Sequence, residues 1–87
     1  MRTFERSTAF KRDFKKYGDL DAALVDVLYK LIHDEVLPEK YRDHALSGDW
    51  SDYRECHIKP DLLLIYKKTE ENTLRLARLG SHSELFG

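Results

Sequence analysis

Cysteine, proline and glycine are scarce in this sequence. Its 87 residues include one cysteine (Cys56), two prolines and four glycines. A lone cysteine cannot form an internal disulfide, which excludes the disulfide-rich secreted scaffolds and fits a reducing compartment. Since no repeat or low-complexity tract is present either, a linker between two domains is not expected. We therefore predict one domain that spans residues 1–87.

Long hydrophobic runs are also missing. The longest uncharged apolar stretch covers residues 62–66, far short of the about 20 residues that a membrane-spanning helix needs. Met1 is followed by charged residues rather than by an apolar segment, so a secretory signal is not expected. Hydrophobic residues make up 41% of the chain and charged residues 36%, as in a globular domain with a charged surface. We predict a cytoplasmic protein that does not bind a membrane.

Neither sign of charge dominates overall, but the charges are unevenly distributed. The formal net charge is −1, which argues against a general polyanion-binding protein. Residues 6–16 hold five basic residues and one acidic residue, whereas residues 17–39 hold one basic and six acidic residues. The basic members of the first segment are Arg6, Lys11, Arg12, Lys15 and Lys16. Two interpretations stay open: solvated helix faces, or a basic surface for RNA or an acidic partner.

The apolar spacing predicts two helices before Pro38. Phe10, Phe14 and Tyr17 follow the i, i+4, i+7 pattern of one helix face. Ser7 is suited to cap the start of this helix and Gly18 to end it.

A second helix is expected to begin at Asp19 or Asp21 and to stop near Pro38. Its apolar stripe consists of Leu20, Ala23, Leu24, Val27, Leu28, Leu31 and Ile32. Joined by a short turn, the two helices are predicted to form an antiparallel hairpin.

The rest of the chain reads mainly as strands. Residues 41–52 resemble a loop with at most one short extended piece, and Phe4 is assigned to an N-terminal strand. The remaining strands are predicted at residues 53–58, 62–66 and 73–79. The continuous apolar run of the middle strand indicates burial on both faces. This order predicts an α+β fold in which the helical hairpin packs on one face of a curved antiparallel sheet.

Three of the four histidines fall in the strand-rich half. His44, His57 and His82 are placed in a loop, at a strand end and in the C-terminal tail, and Asp61 follows His57 across a predicted turn. Histidine gives and takes protons near neutrality, which acid–base cleavage of RNA requires, together with a cation for the charge on the phosphate. The candidate cations in this half are Arg54, Lys59, Lys67 and Arg78.

Two alternatives accompany this interpretation. Any single histidine is more often a surface or satisfied core residue than a catalytic one. Three histidines and an aspartate are also acceptable zinc ligands, although the spacings of 13 residues between His44 and His57 and of 25 between His57 and His82 match no local metal motif. Cys56 is expected on the opposite strand face from His57, as a small buried group. Base stacking is an alternative for Trp50, Tyr53 and Tyr66, with packing favoured for the two strand tyrosines.

Residues 41–87 contain a set of short motifs in a fixed order. These are Asp43-His44, Leu46, Gly48, Trp50, Tyr53-Arg54, His57, Pro60-Asp61, Leu64-Ile65-Tyr66-Lys67, Arg78, Gly80, His82 and Leu85-Phe86-Gly87. In this order they resemble the YafQ branch of the RelE/ParE superfamily of bacterial type II toxins. The resemblance implies a RelE-like, microbial RNase-like fold and cleavage of mRNA on the translating ribosome. It also implies inhibition of the free toxin by a cognate antitoxin protein.

The chemistry implied by the resemblance needs no metal or other cofactor. The 2′-OH attacks the phosphate and leaves a cyclic phosphate and a free 5′-OH. The positions that match functional residues of the family are His44, His57, Asp61, His82 and Phe86. Arg78 matches a basic position on the RNA-facing strand. Leu62 stands where some relatives carry an aromatic residue, so a codon preference does not transfer.

Expected roles combine this resemblance with the spacing. His82, on a flexible tail, is the first choice for the general acid, and His57 with Asp61 for the base and its orienting carboxylate. His44 would position the substrate or share the base role. The groups expected to bind RNA or its phosphates are Arg54, Arg78, Lys11, Lys15 and Lys16. The alternative function is a non-catalytic member of the superfamily that binds its target, as the gyrase poisons do.

Overall fold

The described residues form three α-helices and a five-stranded sheet. The computed structural model describes residues 1–17 and 19–87. The elements in chain order are β1 (Thr3–Arg6), α1 (Thr8–Tyr17), α2 (Ala22–Ile32), β2 (His44–Ala45), β3 (Arg54–Lys59), β4 (Leu62–Lys68), β5 (Thr73–Gly80) and α3 (His82–Phe86). Short 3-10 turns at Glu39–Tyr41 and Gly48–Trp50 flank β2. The arrangement is the predicted α+β class.

Both long helices start where the sequence predicts. Ser7 Oγ accepts the N–H of Phe10 at 2.9 Å, and Asp21 Oδ1 accepts the N–H of Leu24 at 2.9 Å. Each bond satisfies one of the amides that a helix leaves free at its first turn. The predicted end of α1 at Gly18 lies outside the described residues.

The sheet is mixed, with the strand order β1-β5-β4-β3-β2. The pairs among β2, β3, β4 and β5 are antiparallel, as predicted, whereas β1 runs parallel to β5. A parallel pair needs a crossover connection in the chain, and the segment containing α1 and α2 lies within the connection between these two strands.

Apolar side chains cover both faces of β4. On one face, Leu64 and Tyr66 join the main core, which α1 and α2 supply with Phe10, Leu24 and Val27. On the other face, a smaller cluster contains Leu63, Ile65, Ala77 and Leu85. The prediction of a strand buried on both faces is confirmed.

Two local predictions differ from the structure. Leu20, assigned to the apolar stripe of α2, precedes the helix and is 72% exposed. The C-terminal segment, expected as a flexible tail, forms α3: Ser81 Oγ accepts the N–H of Glu84 at 3.2 Å, and Leu85 packs against Leu63 and Ile65. One buried leucine and one cap are enough to dock this short helix on the sheet. None of the helices in the described part of the chain is long and apolar enough to span a membrane.

Candidate active site

The strand register lines up two rows of side chains on the sheet face opposite α1 and α2. The first row runs from His44 to Glu55, then to Ile65 and Arg78. The second row runs from His57 to Leu63 and Gly80. Since residues two apart on a strand share a face, the two rows lie side by side. Leu63 and Ile65, both buried, form an apolar floor between polar groups at either side, and the side chains of Leu46, Trp50, Tyr53 and Leu85 cover it.

At one side of this floor, Glu55 lies between two histidines. Its Oε1 is 3.1 Å from Nε2 of His57 and 3.9 Å from Nε2 of His44, and the two imidazole centroids are 6.5 Å apart. Glu55 is only 4% exposed, and a buried carboxylate requires such partners. A carboxylate in this place can orient an imidazole and stabilise its protonated form.

Asp61 does not have the position that the sequence predicts for it. It is exposed in the two-residue turn between β3 and β4, and no hydrogen bond or ion pair joins it to the rest of the described chain. The carboxylate beside His57 belongs to Glu55 instead, because residues two apart on β3 point to the same face. A functional role for Asp61 stays a prediction.

At the other side of the floor, α3 places His82 and Phe86 one helical turn apart. Their ring centroids are 5.1 Å apart and both side chains are exposed. His82 follows Gly80, which ends the row that starts at His57, so two strand spacings, about 10 Å, separate the backbones of His57 and Gly80. Gly80 permits the close approach of α3, since a Cβ there would meet Leu85 Cδ2 at 3.3 Å. His57 and Gly80 thus lie on opposite sides of Leu63, and α3 begins two residues after Gly80.

The guanidinium of Arg78, the last residue of the first row, is paired with the carboxylate of Asp13. Its Nε donates to Asp13 Oδ2 at 2.7 Å and its Nη2 to Oδ1 at 3.3 Å, and the same carboxylate accepts the N–H of Leu79 at 3.0 Å. Burial alone would raise the pKa of Asp13, but the bonds from Arg78 and Leu79 outweigh it and the pKa is lowered. This pair also fastens α1 to β5.

The whole chain matches one family. The family model described as "Bacterial toxin of type II toxin-antitoxin system, YafQ" covers residues 2–87. The chain belongs to the YafQ family of type II toxins. The resemblance carried by residues 41–87 is therefore confirmed over nearly the full length.

Named relatives agree with this membership. The chain is 38% identical over 92 residues to the mRNA interferase toxin YafQ of Escherichia coli K12, covering 100% of this chain and 98% of that protein. A metal-bound toxin from Helicobacter pylori superposes with a TM-score of 0.88 at 49% identity, over 99% of this chain and 100% of that one. YafQ in the E. coli DinJ–YafQ complex superposes with a TM-score of 0.84 at 37% identity, over 100% of both chains.

The other predicted cations of this YafQ-family chain lie in two further places. Arg54 donates from Nη2 to Asp43 Oδ2 at 3.0 Å, next to His44 rather than over the apolar floor. Lys11, Lys15 and Lys16 are exposed on α1. The first two of these lysines border a groove on the helix side of the molecule, away from the histidines.

That groove combines an apolar floor with a basic rim. Its volume is about 720 Å³. The rim carries Arg6, Lys11 and Lys15, and the apolar lining consists of Phe4, Phe10, Phe14, Leu20, Leu28 and Leu76. The structure therefore divides the basic segment: Lys11 and Lys15 face the groove, whereas Arg12 and Lys16, also four residues apart, are outside its lining.

Sequence reasoning placed the packing residues correctly and missed one polar group. Cys56 is buried, and this burial raises the pKa of its thiol; Tyr66 is buried as well. Trp50 packs edge-to-face on Tyr53, with centroids 5.3 Å apart. Glu55 was not predicted; the available signal was its i, i+2 spacing from His57 on a predicted strand.

Proposed function

We propose that this chain is an endoribonuclease that cleaves translated mRNA in the cytoplasm, on the ribosome, by acid–base chemistry without a metal ion. The observation that carries the proposal is the His44–Glu55–His57 cluster on the sheet face opposite α1 and α2, with α3 and its His82 following Gly80 at the end of the second row of that face. A protein that only binds its target has no chemical need for such a set of histidines around a buried carboxylate. The name of the E. coli relative, an mRNA interferase, supports the same substrate.

The two sides of the floor suit the two proton transfers. Glu55 accepts the Nε2 proton of His57, which leaves the Nδ1 lone pair to take the proton of the 2′-OH. The 2′ oxygen then bonds to phosphorus and the bond from phosphorus to the 5′ oxygen breaks. His82 donates the proton that the 5′ oxygen needs. The products are a 2′,3′-cyclic phosphate and a free 5′-OH.

The remaining predicted residues assist around this path. His44, whose Nε2 lies 3.9 Å from Glu55 Oε1, positions the substrate or shares the base role of His57. Arg78, at the end of the Glu55 row, stabilises the charge that builds on the phosphate, while its bond to Asp13 holds the guanidinium in place. Phe86 sets the orientation of His82 through the tilted contact of their rings, whose planes meet at 42°. Asp61, exposed at the end of the same sheet, is proposed to contact the RNA.

The groove on the helix side is proposed as the docking place of the antitoxin. The E. coli relative occurs in a complex with DinJ. An apolar floor with three basic residues around it suits a segment that is apolar on one side and acidic on the other. When the antitoxin is absent, the lysines of α1, including Lys16, are available to ribosomal RNA, and Arg54 to nearby phosphates.

Ribosomes programmed with a defined mRNA test the proposed function. The purified chain is expected to produce new mRNA ends in a fixed codon register only when the ribosome is present. A chelator selective for zinc over the Mg²⁺ that the ribosome requires should leave the rate unchanged, because no proposed step uses a metal. Zinc at one ion per chain with activity lost on chelation would contradict the metal-free mechanism. Intact mRNA together with a loss of DNA supercoiling in cells would favour the gyrase-poison alternative.

A further inference from the structure

His44 lies on a strand with little backbone pairing. β2 consists of His44 and Ala45, which pair with Glu55 and Arg54 of β3, and it is an edge strand of the sheet. A two-residue edge strand opens easily. The position of this imidazole beside Glu55 must therefore depend on contacts other than the sheet ladder.

One such contact decides which ring nitrogen of His44 carries the proton. Nδ1 lies 2.9 Å from the backbone oxygen of Arg42. A carbonyl oxygen only accepts, so Nδ1 is the donor and the neutral ring keeps its lone pair on Nε2. Nε2 is the nitrogen that faces Glu55. The tautomer of His44 thus depends on where the Arg42 carbonyl points.

The backbone of Arg42 is in a conformation that arginine rarely adopts. Its φ is 49° and its ψ is 45°, in the left-handed region, which is unfavourable for a residue with a Cβ. Its N–H donates to the carbonyl of Glu39 at 3.0 Å and closes the 3-10 turn. Such a conformation persists only where neighbouring contacts hold it.

Asp43, between Arg42 and His44, makes contacts that can provide this hold. One carboxylate oxygen accepts from Arg54 Nη2 at 3.0 Å, and the other accepts from the hydroxyl of Tyr66. Tyr66 belongs to the interior strand β4 and is 1% exposed. Burial, together with the neighbouring Asp43, raises the pKa of Tyr66, so its hydroxyl keeps the proton it donates. Asp43 thereby ties the short edge segment to the two adjacent strands.

We propose that Asp43 is a positioning residue that fixes the tautomer and the place of His44 through the backbone of Arg42. The effect of Asp43 on mRNA cleavage rests on the proposed function. The effect of Asp43 on the tautomer of His44 does not, because the hydrogen bond from His44 to Arg42 exists in the free protein. The two consequences can therefore be measured separately.

The chain contains a matched control for this arrangement. Asp26 also accepts from a buried tyrosine, Tyr41, at 2.8 Å, and from a cation, Lys30. This second group ties α2 to the 3-10 turn directly before Arg42. Asp26→Asn and Tyr41→Phe therefore remove the same kinds of bond as Asp43→Asn and Tyr66→Phe on the other side of Arg42, which separates the specific contribution of Asp43 from a general loosening of this segment.

Long-range 1H–15N NMR of the four single variants, free of ribosomes, tests the proposal. Wild type and both control variants should show His44 protonated at Nδ1 in its neutral form. Asp43→Asn should show a mixture of both tautomers, and Tyr66→Phe, which keeps the bond to Arg54, a smaller shift in the same direction. On programmed ribosomes, Asp43→Asn should lower kcat by about 10- to 100-fold with little change in KM.

Two results overturn the proposal. The first is a His44 tautomer in Asp43→Asn identical to that in Asp26→Asn. The second is an equal loss of kcat in these two variants, which would assign Asp43 a general structural role. If Asp43→Asn does not fold, the tautomer in Tyr66→Phe decides alone: an unchanged Nδ1–H form contradicts the proposal. A wild-type chain that cleaves no mRNA overturns the proposed function, while the tautomer still tests the role of Asp43.

Discussion

Glu55 Oε1 lies 3.1 Å from Nε2 of His57 and 3.9 Å from Nε2 of His44. This buried carboxylate lies between the two imidazoles on the sheet face opposite α1 and α2. In the proposed reaction its negative charge is next to whichever histidine takes the 2′-OH proton. A base that must hold a positive charge during the reaction benefits from such a neighbour.

Glu55→Gln is expected to slow cleavage by about 10-fold or more. The amide keeps the size of the side chain but loses the negative charge that stabilises the imidazolium of His57. Single-turnover cleavage on programmed ribosomes measures this loss. Glu84→Gln, an exposed glutamate of α3, is the control and should cleave like wild type. Equal rates for both variants would show that Glu55 only fills the site.

Asp13→Asn is expected to lower the free energy of unfolding at pH 7 by about 1–2 kcal/mol, the usual range for a charge-assisted hydrogen bond that is partly screened. The pKa of Asp13 is lowered below its ordinary value of 3.8 in the folded protein. The carboxylate therefore stabilises the fold above that value, and this contribution is lost as the pH falls through the folded pKa.

Denaturant unfolding of wild type and Asp13→Asn between pH 7 and pH 2 checks this dependence. The difference between them should be constant above about pH 5 and should shrink towards zero in acid. Asp19→Asn, a change at an exposed aspartate, should show little difference at either end. A difference that persists in full at pH 2 would mean that the Asp13 charge contributes nothing.

Replacing Lys11 and Lys15 together by Glu is expected to weaken antitoxin binding by about 10-fold or more, with a smaller dependence on salt. The two lysines border the apolar groove, so reversed charges would repel an acidic segment seated there. The antitoxin to use is the protein that restores growth when it is produced together with this chain. Calorimetric titration at several salt concentrations provides the affinity and its salt dependence.

Arg12→Glu with Lys16→Glu is the matched control, since it makes the same change at the same spacing on the other side of α1. It should leave antitoxin binding nearly unchanged. If both pairs weaken binding equally, the antitoxin senses only the net charge of the helix. If neither does, the groove is not its docking place, and weaker ribosome binding by the Lys11 and Lys15 pair would assign the groove to RNA.

Local sequence signals predicted the elements but not all of their partners. Ser7 and Asp21 are caps that act within three residues, so they could be located from the sequence. Glu55 could not be assigned in the same way. Its neighbour His44 is eleven residues away in the sequence and is brought to it by the pairing of the two-residue strand β2 with β3. The sequence pointed to Asp61 since it follows His57 closely, but alternation along β3 places Glu55 there instead.

Contacts between distant residues, rather than local signals, also decide how the C-terminal segment docks and how β1 pairs in the sheet. Ser81 followed three residues later by Glu84 is a local helix-start signal, but the docking of α3 depends on Leu85 packing against Leu63 and Ile65 of β4. The parallel pairing of β1 with β5 likewise joins the two ends of the sequence. Such contacts follow from the complete fold rather than from residue patterns, whereas the ordered motifs of residues 41–87 were enough to indicate the family.

The central claim is that His82 is the general acid, and His82→Ala tests it most directly. The side chain is exposed on α3, so the free energy of unfolding should change by less than about 0.5 kcal/mol. Single-turnover cleavage on programmed ribosomes should nevertheless fall by roughly 100-fold or more. Phe86→Ala is the comparison, expected to lose activity together with some stability. Cleavage by His82→Ala at a near wild-type rate would contradict the account, as would a loss of activity that matches a large drop in melting temperature.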